Sequence, residues 1–88
     1  MYTYELRKSV EKIFFKLAKR NPKQLEIIYD KIREIIQNPH HYKNLRKPLQ
    51  HLKRVHIDKS FVLTYSVEEI RKVVIIEDYD HHDKVYEK

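Results

Sequence analysis

Three strand-like runs lie in the second half of the chain, LKRVHI (Leu52–Ile57), FVLTYSV (Phe61–Val67) and KVVIIEDY (Lys72–Tyr79). The polar segments Asp58–Ser60 and Glu68–Glu69 that separate them are short. Short connections between apolar runs predict an antiparallel meander of three strands. This meander decides the fold class, because it offers the apolar surface on which the first half of the chain can pack.

The first half predicts one strand and two helices. Residues Met1 to Leu6 favour a short strand, and Ser9 is expected to cap the helix that follows. Asn21-Pro22 closes this helix and supplies a cap and a first-turn proline for the second helix, which Asn38-Pro39 stops. Apolar residues recur at helical spacing in both segments: Val10, Ile13, Phe14, Leu17 and Ala18, then Leu25, Ile28, Ile32, Ile35 and Ile36.

The predicted fold class is α+β, with an N-terminal strand and a helical hairpin packed on one face of a small, mainly antiparallel sheet. The opposite sheet face is left available for a ligand. At 88 residues, the chain is expected to form a single domain over 1–88. No signal peptide opens it and no apolar run approaches the ~20 residues of a membrane span, so we expect a cytoplasmic protein that does not bind membranes.

Composition excludes several enzyme classes. The chain has no glycine, which P-loops, Rossmann fingerprints and glycine-flanked serine elbows all need, and no small-molecule cofactor is expected. It has no cysteine for a disulfide, a thiolate nucleophile or a cysteine zinc site. The net charge of +6 favours a polyanionic partner such as RNA. Basic residues concentrate near the start of the predicted sheet, at Lys43, Arg46, Lys47, Lys53, Arg54 and Lys59.

His56 is the first candidate for chemistry. Because side chains alternate along a strand, it should share the open face with Arg54, while Val55 and Ile57 point into the core. A lone histidine in such a place is often only a hydrogen-bonded surface residue. The basic loop His40–Pro48 could form a wall of the cleft beside it.

The second candidate follows the last strand, in Asp80-His81-His82-Asp83-Lys84-Val85-Tyr86. Adjacent histidines diverge in an extended segment, so only one can face the cleft, and we select His82. Four adjacent residues cannot converge on a metal ion, so no metal site is expected. An alternative to a catalytic role is that this segment is only a polar tail after the last strand. Tyr86 could anchor the tail in the core or stack on a nucleobase.

The order and spacing of these segments resemble the RelE/ParE toxin superfamily, and within it the RelE/StbE and YafQ-like mRNA interferases. The similar stretches are the opening strand and helical hairpin, the strand pair Arg54–Ile57 and Ser60–Tyr65, and the closing segment Asp80–Tyr86. The resemblance covers nearly the whole chain. It implies the toxin of a type II toxin–antitoxin pair that cuts mRNA in the ribosomal A site and is restrained by an acidic, partly helical antitoxin.

The resemblance also assigns residues. His56, His82 and Tyr86 match the second-strand histidine, the C-terminal histidine and the aromatic residue four positions later in YafQ-like toxins. Phe61 matches a strand aromatic, and Lys47 the loop position of a further catalytic or phosphate-binding side chain. The expected catalytic residues are therefore His56, His82, Lys47 and Tyr86, with Arg46, Lys53, Arg54 and Phe61 contacting RNA or its phosphates.

Three positions depart from the family pattern. Val62 replaces an arginine of the third strand, Ser60 replaces an acid, and Asp78 stands where a C-terminal strand arginine is usual. Phosphate would then have to be held by Lys47, Arg54 or Lys53. Two alternatives stay open at this point, a ParE-like gyrase inhibitor and a non-catalytic basic RNA-binding module. The paired histidines favour the nuclease.

Overall fold

A four-stranded sheet with the strand order β1-β4-β3-β2 forms the centre of the computed structural model, which describes residues 1–83. Strand β1 pairs parallel with β4, and the other two pairs are antiparallel. The α+β prediction is therefore confirmed, with one parallel pair in a mainly antiparallel sheet. The elements are β1 (Thr3–Leu6), α1 (Lys8–Arg20), α2 (Pro22–Gln37), β2 (Lys53–Ile57), β3 (Phe61–Glu68) and β4 (Val73–His81).

The two helices begin in different ways. Helix α1 starts at Lys8 directly after Arg7, whose amide still donates to the Ile76 carbonyl at 3.1 Å as β1 ends. The prediction that Ser9 caps this helix is wrong, because Ser9 already lies in its first turn. The predicted cap of α2 is confirmed, since the Asn21 side chain accepts a hydrogen bond from the Gln24 amide.

The core lies between the helical hairpin and one face of the sheet, which we call the helix face. Two buried tyrosines reach this core, and both have hydrogen-bond partners for their hydroxyl groups. The Tyr65 hydroxyl donates to the Pro39 carbonyl at 2.8 Å, and the Gln24 amide donates to the Tyr79 hydroxyl at 2.9 Å. Buried apolar residues surround them: Val10, Phe14, Ile28, Ile32, Ile35, Val55, Ile57, Leu63, Val74 and Ile76.

Strand β4 differs from its prediction in two ways that affect the candidate site. It continues two residues further, to His81, where β3 begins opposite it at Phe61. It also contains an irregularity, because Thr64 pairs with Asp78 while Tyr65 pairs with Ile76, leaving Glu77 as an extra residue. Within residues 1–83, neither helix is long and apolar enough to cross a membrane.

Candidate functional site

The sheet face opposite the helices, which we call the open face, carries the predicted residues of β2. Val55 and Ile57 are buried on the helix face, whereas His56 is exposed and Arg54 is half-buried on the open face. The predicted alternation along β2 is thus confirmed. In the strand register His56 lies opposite Val62, and Val62 opposite Asp80, so these three residues form one row across the open face.

The structure brings His56 and His82 together. Their rings are stacked, with centroids 5.5 Å apart and an interplanar angle of 29°. His82 follows the end of β4, and its amide donates to the Ser60 carbonyl in the β2–β3 turn at 2.7 Å. One backbone hydrogen bond therefore fixes the end of β4 against the hairpin that carries His56, and two residues far apart in sequence meet at one corner of the sheet.

Neighbouring His81 turns to a different environment, as the divergence of adjacent histidines predicts. Its ring lies edge-on to Phe61, with centroids 5.4 Å apart. The Asp83 carboxylate lies near both histidines, with its oxygens 3.6 Å from Nδ1 of His82 and 3.8 Å from Nδ1 of His81. The Asp83 amide also donates to Nδ1 of His81 at 3.3 Å, so Asp83 interacts with His81 through its backbone as well as its carboxylate.

Phe61 lies on the helix face. Its ring is stacked on Tyr79 at 5.3 Å, and it packs against the core cluster. The structure therefore does not bring Phe61 beside His56 and His82, which lie on the other side of the sheet. One face of the Phe61 ring covers Tyr79 in this position, and the predicted contact of Phe61 with RNA stays a prediction.

Lys53 also has a different place from the predicted one. Only 8% of the residue is exposed, and its Nζ donates to the Tyr42 carbonyl at 2.7 Å and to Oδ1 of Asn44. These bonds hold the loop between α2 and β2 against the sheet. These two bonds assign Lys53 to packing of the loop, and its predicted contact with phosphate stays a prediction.

The remaining predicted cations differ in depth. Arg46 and Lys47 are exposed in the loop before β2, which joins the sheet at the start of that strand through a bond from the Leu45 amide to the Leu52 carbonyl. Arg54 is half-buried on the open face, with its Nε atom buried. Lys59 is exposed in the turn that precedes Ser60. Tyr86 lies outside the described residues.

Sequence reasoning missed the acidity of the open face. The expected basic groove is interrupted by carboxylates, which strand alternation places there: Glu5, Glu68, Glu77, Asp78 and Asp80. Part of this charge is paired, since Arg71 contacts Glu68 at 2.6 Å and Glu5 at 3.3 Å. The sequence of β4 could have indicated these carboxylates. Asp78 and Asp80 flank the buried Tyr79, and alternation along a strand places both of them on the opposite face.

Glu77 illustrates how these carboxylates are held. Arg7 donates to it from Nε at 2.8 Å, and the Ser66 hydroxyl donates at 2.6 Å. Burial alone would raise the pKa of Glu77, but the hydrogen bonds from Arg7 and Ser66 and the Arg7 charge hold it below its ordinary value. The carboxylate therefore stays ionised and ties the irregularity in β4 to the start of α1.

The chemistry available at this corner is proton transfer. Two imidazoles are the side chains best suited to accept and donate protons near neutral pH. Among residues 1–83, no three His, Asp or Glu side chains are arranged to hold a metal ion. The histidine pair therefore offers acid/base groups at one corner of the sheet, with Lys59 in the neighbouring β2–β3 turn.

Comparison with known proteins identifies relatives over nearly the full chain, although no family model matches it. A Methanocaldococcus jannaschii protein named "Putative toxin RelE4" is 58% identical over 88 residues, which cover 100% of this chain and 94% of that protein.

Two solved structures share the fold at low identity. One is a chain of the toxin–antitoxin complex RelBE2 from Mycobacterium tuberculosis, 20% identical with a TM-score of 0.76, covering 92% of this chain and 98% of that chain. The other is YafQ from Escherichia coli, 15% identical with a TM-score of 0.72, covering 98% of this chain and 99% of that chain. The arrangement of helices and strands in this chain is thus shared with solved toxin structures.

Proposed function

This chain belongs to the RelE family of toxins, and from that membership we propose that it is an mRNA interferase of a type II toxin–antitoxin pair, cleaving mRNA in the ribosomal A site. The observation that carries the proposal is the stacked pair of His56 and His82 at one corner of the open face. Cleavage of RNA without a metal ion needs one proton acceptor and one proton donor near the same phosphate. The pair supplies both groups.

The reaction begins at the ribose 2′-hydroxyl. One imidazole accepts its proton while the oxygen attacks the adjacent phosphorus, and the bond from phosphorus to the 5′-oxygen breaks. The other imidazole donates a proton to that leaving oxygen. The products are a 2′,3′-cyclic phosphate and a 5′-hydroxyl, and each proton transfer typically contributes ~10²–10⁴-fold to the rate. DNA lacks the 2′-hydroxyl and is not cut.

The negative charge that builds up on the phosphate requires cations. We propose Arg54 on the open face and Arg46 and Lys47 in the exposed loop for this role. Asp78 and Asp80 would repel a phosphate chain laid across the sheet. RNA is therefore expected to pass the end of the sheet, over the β2–β3 turn and past Lys59, rather than along the strands.

We also propose two partners, ribosome-bound mRNA and an antitoxin, and a role for Tyr86. The basic chain would act on ribosome-bound mRNA in the cytoplasm as a single domain over 1–88, and a cognate acidic antitoxin would bind it and restrain its activity. A solved relative by fold is itself a toxin–antitoxin complex, which supports this partner. Tyr86 would orient a base or support His82.

The test compares two adjacent histidines. We would induce the wild-type chain, His82→Ala and the matched control His81→Ala in cells, and map mRNA 5′ ends against the reading frame. The proposal expects in-frame cuts within translated codons that disappear in His82→Ala and persist in His81→Ala, whose ring contacts Phe61 instead.

Three results would contradict the proposal. Full cleavage by a folded His82→Ala variant would remove this residue from the site. Growth arrest without any cleavage would favour a gyrase inhibitor. RNA binding that neither histidine affects, together with no cleavage, would favour a non-catalytic binding module.

A further inference from the structure

A small pocket lies where α2 ends and the loop to β2 begins. It has a volume of about 230 Å³ and is lined by polar and aromatic side chains: Glu34, Gln37, Asn38, His41 and Tyr42. Pockets for drug-sized ligands are typically larger, about 300–1,000 Å³, so this one suits a single planar group. We call it the α2 pocket.

Tyr42 forms an aromatic wall of the α2 pocket and is held at both of its ends. Its hydroxyl donates to Oε1 of Glu34 at 3.1 Å, and its carbonyl accepts from Nζ of the buried Lys53 at 2.7 Å. The His41 ring packs edge-on against the Tyr42 ring, with centroids 4.9 Å apart. Because bonds within the protein fix this wall, a ligand that stacks on it has little ordering entropy to lose.

Glu34 supplies the charged acceptor of the α2 pocket. Nζ of Lys31 donates to its Oε2 at 3.0 Å, while the Tyr42 hydroxyl donates to its Oε1. The bond from Lys31, with a smaller contribution from Tyr42, holds the pKa of Glu34 below its ordinary value against the opposing effect of burial. Each oxygen of a carboxylate can accept two hydrogen bonds, and the Glu34 side chain is 54% exposed. Both oxygens can therefore accept a further bond from a ligand.

We propose that the α2 pocket binds an unpaired guanine base of RNA. The base would stack on Tyr42 and donate from its N1–H and N2–H groups to the two oxygens of Glu34. Aromatic stacking combined with hydrogen bonds to the Watson–Crick edge is a common way to recognise single-stranded RNA. Guanine has two adjacent donors on that edge. Adenine, cytosine and uracil each place an acceptor beside their donor, and a carboxylate has no hydrogen to give it.

The charges around the α2 pocket favour a base that belongs to a nucleic acid strand. Lys31 lies beside Glu34, and the exposed Lys43 directly follows Tyr42, so both can attract the phosphates next to the bound base. The chain as a whole carries a net charge of +6. A strand with several phosphates gains more from these charges than a single nucleotide does.

Two other ligands fit the α2 pocket less well. The guanidinium group of a partner's arginine could also donate two bonds to Glu34, but Lys31 already pairs with that carboxylate and repels a second positive charge. A metal ion needs several converging ligands, and no such group of His, Asp or Glu occurs in the part of the chain that the structure describes. Guanine is neutral and uses both the carboxylate and the ring.

The α2 pocket is separate from the histidine pair. Lys53, which holds the Tyr42 carbonyl, begins β2, whereas His56 lies near the end of that strand, roughly 10 Å further along at ~3.3 Å per residue. Guanine binding therefore does not need the acid/base groups. The proposal stands or fails separately from RNA cleavage.

Binding of short oligonucleotides to the full chain tests the proposal. The probes are labelled 2′-O-methyl uridine heptamers, which lack the nucleophile for cleavage, with guanine, adenine or uracil at the centre. Fluorescence anisotropy should show a preference for the guanine heptamer of about tenfold, within the discrimination typical of a bidentate contact with a base. Glu34→Gln should lose this preference, because its amide offers one donor and one acceptor, the pattern that matches adenine. Its affinity for the all-uridine heptamer should not fall, since the substitution removes a negative charge.

Three control measurements separate base recognition from general attraction to RNA. Glu26→Gln removes another exposed carboxylate of α2 and should keep the guanine preference. Tyr42→Phe retains the stacking ring and should bind the guanine heptamer more tightly than Tyr42→Leu, which lacks it. The mononucleotide 5′-GMP should shift the NMR signals of the Glu34 and Gln37 amides but bind more weakly than the guanine heptamer, because it lacks the flanking phosphates.

Several outcomes would overturn the proposal. Equal affinity of the wild-type chain for the three heptamers would remove guanine recognition altogether. An equal loss of preference in Glu26→Gln and Glu34→Gln would place the recognition outside the α2 pocket. Binding of 5′-GMP as tight as that of the guanine heptamer would assign the pocket to a free nucleotide. Displacement of the heptamer by arginine amide, with no base preference, would assign it to a partner's arginine.

Discussion

The helix face and the open face of the sheet are built from alternate residues of the same strands, but they differ in exposure and polarity at the corner where His56 and His82 meet. On the helix face, Leu63 and Tyr65 are fully buried, and the Tyr65 hydroxyl has a carbonyl partner. On the open face, His56 is exposed and its ring stacks on another half-exposed histidine. A spacing of one residue along β2 thus separates side chains that stabilise the fold from side chains available for chemistry, whereas Val62 and Thr64 of β3 are buried on the open face.

Substitutions on the two faces should therefore change different properties of the protein. Removing a helix-face side chain leaves a cavity or an unpaired buried group, so it should lower the free energy of unfolding. Removing an exposed open-face side chain costs little stability, because water replaces its contacts. A substitution that lowered stability and activity together would contradict this separation of the two faces.

The largest expected effect is on activity, in His56→Ala. The variant should cleave ~10²–10⁴-fold more slowly in a reconstituted translation system, the loss typical of one acid/base group, with little change in thermal unfolding. The control is His40→Ala, which removes another exposed histidine, in the loop before β2. Undiminished cleavage by folded His56→Ala would exclude this residue from the proton pair, and a large fall in its melting temperature would contradict the open-face assignment.

The next effect is on stability alone. Leu63→Ala should lower the free energy of unfolding by about 2–5 kcal/mol, because Leu63 is fully buried between the helices and the sheet. Denaturation by urea measures the change. The control Ile70→Ala should stay within about 0.5 kcal/mol, since Ile70 is almost fully exposed. Similar losses of stability in Leu63→Ala and Ile70→Ala would mean that burial on the helix face does not determine the stabilising effect of a side chain.

Tyr65→Phe tests one buried hydrogen bond of the helix face by deleting a single oxygen atom. The Pro39 carbonyl would lose its buried donor, at a cost of about 1–3 kcal/mol. Burial also raises the pKa of Tyr65, so the hydroxyl stays protonated and able to donate. Urea denaturation of this variant beside Tyr4→Phe, whose ring is partly exposed, measures the difference. Equal stabilities would show that the hydrogen bond to Pro39 contributes nothing net.

Sequence patterns predicted most of the fold because they report burial directly. Alternation along β2 and helical spacing in α1 and α2 each describe one buried face, and the structure buries these residues at least partly, except Ala18, which is exposed. Asn21 with Pro22 marks a helix start by chemistry that acts within a few residues. The Ser9 prediction was wrong because the start of α1 is set by the end of β1, which pairs with a strand far along the chain.

The site was less predictable, because contacts between distant segments decide it. Nothing local to Lys53 shows that its ammonium group is used by Tyr42 and Asn44, and nothing local to Phe61 shows that Tyr79 covers its ring. The meeting of His56 and His82 depends on a backbone bond to Ser60. Charge counting along the sequence suggested a basic groove, whereas the pairing of strands determines which face receives the carboxylates of β4.

The smallest expected effect concerns Glu77, a carboxylate of the open face that contributes to stability. It tests whether open-face residues can also stabilise the fold. The bond from Arg7 and the bond from Ser66 lower the pKa of Glu77 against the opposing effect of burial. A lowered pKa in the folded state means that the stabilisation is complete above the ordinary glutamate pKa of about 4.3 and is lost as the pH falls through the lower folded value. We expect the free energy of unfolding to fall more steeply below about pH 5 in the wild-type chain than in Glu77→Gln, by the ~0.2–1 kcal/mol typical of partly exposed ion pairs.

Urea denaturation at a series of pH values measures both slopes, and Glu26→Gln provides a control because Glu26 is exposed on α2. Identical slopes for the wild-type chain and Glu77→Gln would show that the Glu77 carboxylate contributes no pH-dependent stability. Glu77 would then resemble the exposed residues of the open face, whose removal costs little stability.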